Sequence, residues 1–170
     1  MTWQNEMTLI VRHLIHDLDS SNYTFVDDRL EESILVSAQL VLHEIDFEKT
    51  YTVDVDSSTL SPDPTLAADK DDPFITLVSL KTANLLIGSE LKTNSLNAIS
   101  LRDGASAIDL RGIVQGLKIL FDDTYKKYED AKMQYKAGGR VIGQAVLSPY
   151  SPGSDAISTR TYVSRLGRFE

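Results

Sequence analysis

The chain has 170 residues and a formal net charge of −8, unevenly spread: residues 1–72 hold 16 acids and 4 bases, residues 73–137 hold 7 and 9, and residues 138–170 hold 2 and 4. That length suits one compact domain with a tail, and an acidic N-terminal half argues against a free-standing DNA-binding protein, which needs a basic face to neutralise phosphates. With no cysteine in the chain, disulfides, thiolate zinc sites and cysteine nucleophiles are excluded.

Met7, Ile10, Val11, Leu14, Ile15 and Leu18 recur at three and four residues. This predicts an amphipathic helix over about residues 4–18, with Arg12, His13 and Asp17 off its apolar stripe. Asp19 to Asn22 reads as a stop, because such side chains bond their own backbone in turns. Tyr23 and Phe25 alternate with polar neighbours in a short extended piece. Asp28-Arg29-Leu30-Glu31 has the form of a capping box and opens a second helix over about 28–45. Leu30, Ile34, Leu35, Val36, Ala38, Leu40, Val41, Leu42 and Ile45 cover most of its circumference, so it is expected to be the most buried helix. Tyr51, Val53 and Val55 alternate with Thr52 and Asp54 and predict one short strand. Residues 56–72 are rich in Ser, Pro and Asp and read as a long loop.

Asp72-Pro73 reads as an N-cap and first helical position, and Phe74, Leu77, Val78, Lys81, Leu85 and Leu91 carry that helix to about 93, with Gly88 a weak point. Ile99, Leu101, Asp103-Gly104, Ile108 and Leu110 suit either a small hairpin turned at Asp103-Gly104 or an extended link. A last helix is expected over about 109–137, carrying Ile113, Leu117, Leu120, Phe121, Tyr125, Tyr128 and Tyr135 and ended by Gly138-Gly139. The fold class is therefore mainly α: a four-helix body over residues 1–139, a short β element, and an extended C-terminal tail over 140–170. The tail keeps apolar and aromatic residues and four arginines. Disordered tails are usually poor in apolar and aromatic residues, so this one is expected to bind a partner, most simply another subunit.

Hydrophobic residues at 42% and charged residues at 25% are near globular averages, so most of the chain is expected to fold. No apolar run approaches the ~18 residues that cross a bilayer. The start Met1 to Glu6 lacks the basic region of a signal peptide, which predicts a cytoplasmic protein at synthesis with no membrane anchor. Asn22-Tyr23-Thr24 fits the glycosylation pattern only by composition.

Five constellations could carry chemistry. Asp17, Asp19, Ser21 and Asp28 fall at positions 1, 3, 5 and 12 of a calcium-loop spacing, but Asn22 replaces the required glycine and Asp28 is short for a bidentate ligand; a helix end followed by an N-cap is the simpler reading. Asp54, Asp56 and Asp63 lack a closing carboxylate. His13 and His16 could share a helix face, yet neither they nor His43 have further zinc ligands placed by sequence. No Gly-x-Ser-x-Gly elbow is present. Gly112 and Gly116 match no phosphate loop and suit close helix packing. Lys126, Lys127, Lys132 and Lys136 interleave with Tyr125, Tyr128 and Tyr135 as a basic–aromatic strip, although Glu129 and Asp130 interrupt it and favour a solvated face. The residues suggest no catalytic centre, metal or cofactor, and an enzyme is not expected.

The order of elements resembles that of the head–tail adaptor (connector) proteins of tailed bacteriophages. The likeness is carried by Leu9 to Asp19 with Asp27 to Glu32, and by Ile99 to Gly104 running on through Ile108 to Gly112. Ala145 to Tyr150 is similar to segments of virion structural proteins. The resemblance implies a virion structural protein at the neck, assembled in the host cytoplasm. It would form a homo-oligomeric ring, a dodecamer, beneath the portal protein and meet a downstream neck or tail protein. DNA would pass through the channel without specific binding, and no membrane is involved. It further implies that the tail docks on the portal, with Val146, Leu147, Tyr150, Arg160, Tyr162, Arg165, Leu166, Arg168 and Phe169 as the contact residues. A head-completion stopper, a tail-completion protein or a non-viral helical binding module are the alternatives.

Overall fold

The computed structural model describes residues 2–68, 70–97, 101–103, 106–108 and 111–138. Four helices and two small antiparallel hairpins follow in the order α1 (Trp3–Ile15), α2 (Asp27–Glu44), β1 (Thr52–Asp54), β2 (Thr59–Ser61), α3 (Asp72–Asn97), β3 (Leu101–Asp103), β4 (Ser106–Ile108) and α4 (Arg111–Lys136). The mainly α, four-helix architecture with short β elements is as the hydrophobic periodicity predicts. The tail over 140–170 lies outside the described residues.

α3 is the helix around which the body is built. It packs on α1, α2 and α4, and Phe74, Ile75, Leu77, Val78, Leu80, Ala83, Leu86 and Ile87 are all buried. α2 was expected to hold this place but is one-sided. Leu30, Ile34, Leu35, Ala38 and Val41 are buried, whereas Val36 and Leu40 are exposed. Its apolar residues are numerous, yet only the stripe at three- and four-residue spacing meets α1 and α3. α3 also has the length and apolar composition of a membrane span, in contrast to the expectation from uninterrupted runs, and half of its apolar window is buried against its neighbours.

Several boundaries move for physical reasons. α1 stops at Ile15, not residue 18, because His16 adopts a left-handed conformation with φ 61°. The amides of His16 and Asp17 then close on the His13 and Arg12 carbonyls, as in a C-terminal cap that reverses the chain. Leu18 is left exposed. The first turn of α1 is held from far away: the Trp3 amide donates to Asp63 Oδ2 at 3.1 Å. α2 begins at Asp27 after Val26 and has no side-chain cap, so the predicted capping box at Asp28 and Glu31 does not form. Asp27 is drawn instead to Arg12. α3 is capped by Asp71 rather than Asp72. Asp71 Oδ1 accepts the Phe74 amide at 3.1 Å, and its Oδ2 accepts the Tyr51 hydroxyl at 2.7 Å.

The expected loop over 56–72 contains a return strand. β2 pairs with β1 in the register Thr52 with Ser61, Val53 with Leu60 and Asp54 with Thr59. The turn is built by Asp54, whose Oδ1 accepts the amides of Asp56 and Ser57, and by Ser58 at φ 52°. The hydrogen bonds from Ser57 hold the Asp54 carboxyl below its ordinary range. Beneath the hairpin, Tyr51 stacks on Phe74 with centroids 4.0 Å apart, and Phe47 contacts Phe74 and Tyr135 at 5.2 and 5.1 Å. Such ring contacts add to plain area burial. Between α3 and α4, Leu101 pairs with Ile108, Arg102 with Ala107 and Asp103 with Ser106, so the hairpin alternative holds there. α4 ends at Lys136, with Gly138 at φ 62° beyond it.

Candidate functional site

The spacing at Asp17 to Asp28 resolves into a closed structural knot. Arg12, expected off the apolar stripe, is buried. Its Nη1 donates to Asp17 Oδ2 at 2.8 Å, and its Nη2 donates to the Phe25 carbonyl at 3.0 Å and to Asp27 Oδ1 at 2.5 Å. The Tyr23 ring lies over the guanidinium at 3.6 Å. Asp17 also accepts the amides of Thr24 and Phe25 at 2.9 and 3.2 Å. A carboxylate so occupied with one cation and two N–H groups has its lone pairs committed to the fold. Asp19 is turned to the Ser21 amide and hydroxyl, which lower its pKa. Asp28 is exposed on α2. Among the described residues no three His, Asp or Glu side chains converge on a common point. His13, His16 and His43 are all exposed.

A second cluster joins α2, α3 and α4. Glu44 accepts Lys81 Nζ at 2.7 Å, the Tyr128 hydroxyl at 2.8 Å and Lys132 Nζ at 3.1 Å. Both ammonium groups also lie against the Tyr128 ring, 4.6 and 5.2 Å from its centroid. Burial opposes ionisation of Glu44, but the three donors outweigh it and hold its carboxyl down at about 2. Burial, and then the bond to Glu44, push the Tyr128 phenol up. Groups displaced away from neutrality in this way do not exchange protons at ordinary pH, so the cluster is a clasp between three helices. It also dismantles the basic–aromatic strip. Tyr128 is in the core and Tyr135 is half-buried, Lys132 is turned inward, and Lys127 pairs with Asp123 at 2.6 Å.

Two surfaces remain open. The first is an arm. At about 1.5 Å per residue, the 26 residues of α3 and of α4 run roughly 39 Å, against roughly 27 Å for the 18 residues of α2. The long pair therefore continues past the body. No described residue of α3 after Ile87, and none of α4 before Thr124, is buried. Asn84 ties the base of the arm, donating to the Phe121 carbonyl and Thr124 hydroxyl at 3.0 and 3.2 Å. Gly88 lets Phe121 approach, since a Cβ there would sit 3.0 Å from the ring. Beyond that point several apolar residues lack cover, although Leu91, Val114 and Leu117 stay half-buried. Leu96 is 83% exposed, Ile119 69%, and Ile113 and Leu120 53% each. Gly112 and Gly116 were expected to permit close packing, but a Cβ at either would meet nothing within 4 Å. They share a face of α4 with Ile119, and among the described residues nothing covers that face.

The second surface is a cleft of about 910 Å³ where the C-terminal ends of α2 and α4 meet the N-terminal end of α3. Ile45, Pro73, Leu77, Ala131 and Tyr135 give it apolar walls, and the acids Glu44, Asp46, Glu48 and Asp72 outnumber the one lysine in its lining, Lys136.

No family model, curated protein or solved structure matches the chain. The residues expected to contact a portal (Val146, Leu147, Tyr150, Arg160, Tyr162, Arg165, Leu166, Arg168 and Phe169) lie outside the described residues. The bare arm was missed from sequence, although one signal was present. Ile113, Leu117, Leu120 and Phe121 already fill one side of α4, while Ile119 stands roughly 160° from Leu117 at 100° per residue, too far round for one partner helix to cover.

Proposed function

We propose that the protein is a structural component of a phage neck: a head–tail adaptor whose copies form a ring beneath the portal, extend the DNA channel, and grip the portal through residues 140–170. The observation that supports this reading is the bare arm. A two-helix hairpin cannot cover its own apolar residues, and contiguous exposed apolar surface marks an interaction site. Neighbouring copies in a ring are the natural cover, because a heterologous contact that closes on itself consumes every such face. The remaining work is geometric rather than catalytic. Exposed acids on the body, among them Asp28, Glu32, Asp54 and Asp56, would repel DNA wherever they face the channel and keep it from sticking during passage.

The test is co-sedimentation with portal rings, together with mass in solution. The intact chain is expected to form a symmetric oligomer, alone or on the portal, and to co-sediment. Deleting residues 140–170 should abolish co-sedimentation and leave a helical body. Ile119→Lys should leave the body folded and disrupt the oligomer. A truncated chain that still co-sediments overturns the tail assignment. A chain that meets other neck components but never the portal overturns the adaptor role in favour of a stopper or tail-completion protein.

A further inference from the structure

We infer that the acidic cleft at the end of α4 is a docking site for the segment that follows it in the same chain, with Arg140 on the carboxylates and Val141 and Ile142 on the apolar walls. The inference is independent of the ring reading.

The argument starts from the charge of the cleft. The C-terminal ends of α2 and α4 both open here, and helix C-termini favour cations. Glu44 is satisfied by the clasp and Asp72 pairs with Lys70, but among the described residues neither Asp46 nor Glu48 has a cationic partner in an ion pair, Lys136 in the same lining included. The apolar walls add a second demand, and the volume is that of a cleft which accepts a sizeable ligand. The occupant must therefore present a cation directly beside apolar side chains. Gly138 itself lines the cleft and turns the chain at φ 62°. Arg140-Val141-Ile142 begins two residues later, a reach of roughly 7 Å in extended chain. A tether this short gives an effective concentration in the millimolar range, so even weak contacts are occupied. Most of the 32 residues after Gly138 then remain available for another partner.

The test is hydrogen exchange by mass spectrometry on the full chain at low micromolar concentration. The variants are Arg140→Glu and the pair Val141→Asp, Ile142→Asp, all of which leave the described residues unaltered. Amides over 45–48 are expected to exchange roughly tenfold faster in either variant, as loss of a millimolar-tethered contact of modest affinity implies. Circular dichroism should stay unchanged. Combining Arg140→Glu with Asp46→Arg and Glu48→Arg should restore slow exchange. Equal rates in the parent and both variants overturn the inference. Protection that grows with protein concentration, together with a dimer or larger mass, also overturns it, because the occupant is then a second copy.

Discussion

Replacing Arg12 with methionine keeps most of the apolar stem that packs against the core and removes the guanidinium. The ion pair with Asp17 is buried on both sides, with side chains 5% and 6% exposed, whereas the Asp27 end is 65% exposed. Removing one partner of a buried pair costs about 3–5 kcal/mol, and an exposed partner adds at most about 1 kcal/mol. Asp17 keeps two backbone donors, which places the cost at the lower end, about 3 kcal/mol. In urea unfolding followed by circular dichroism this lowers the midpoint by roughly 1–3 M, since small proteins lose about 1–3 kcal/mol per molar urea. Asp17→Asn should cost a comparable amount. The double variant should cost less than the two singles together, because once one charge is gone the other is the burden. A methionine variant within 1 kcal/mol of the parent, or strictly additive costs, would show that the knot does not hold α1 to the start of α2 as argued.

Glu44→Gln tests the three-helix clasp through pH. The folded carboxyl, held at about 2, lies below its ordinary value, so its contribution is fully present above the unfolded pKa and fades as pH falls toward 2. With its side chain one-third exposed, the contribution is discounted to about 1–2 kcal/mol; parent and variant should differ by that much at pH 7 and converge near pH 2, and a pH-independent gap would contradict the clasp. Ser37 and Ser79 are fully buried, and among the described residues their hydroxyls meet no hydrogen-bond partner. Alanine at either should raise stability by about 1 kcal/mol, seen as a higher Tm, and a lower Tm would reveal a partner for that hydroxyl. Gly116→Ala should stabilise the isolated chain by about 1 kcal/mol, because the new Cβ meets nothing. The same change should weaken self-association if that face receives another helix, so equal or stronger association in sedimentation velocity would remove Gly116 from the contact.

All four helices could be read from periodicity, since stripes at three- and four-residue spacing survive any detail of tertiary contact. What could not be read depended on pairings distant in sequence. β2 was hidden because Thr59, Leu60 and Ser61 hold one apolar residue and sit before two prolines, and the pairing with β1 identifies them. The true cap of α3 was one residue out, because Asp71 and Asp72 are equivalent until Tyr51 bonds one of them. Arg12 looked like a surface cation because Asp17 was counted within the same helix. The left-handed turn at His16 brings that carboxylate back beneath it. The bare arm was harder still, because periodicity gives the direction of an apolar face and not whether a neighbour covers it.

α4 contains no proline and carries the arm at one end and the cleft at the other. It therefore works as a ruler. Whatever grips the arm between Ile113 and Leu120 and whatever is met by the chain beyond Gly138 are held apart by roughly 24–35 Å of one unbroken rod. The clasp at Glu44 and the core position of Tyr128 fix that rod to the body near one end only. A push on the free end must then appear as tilt of the whole arm, with Asn84 and Gly88 at the fulcrum.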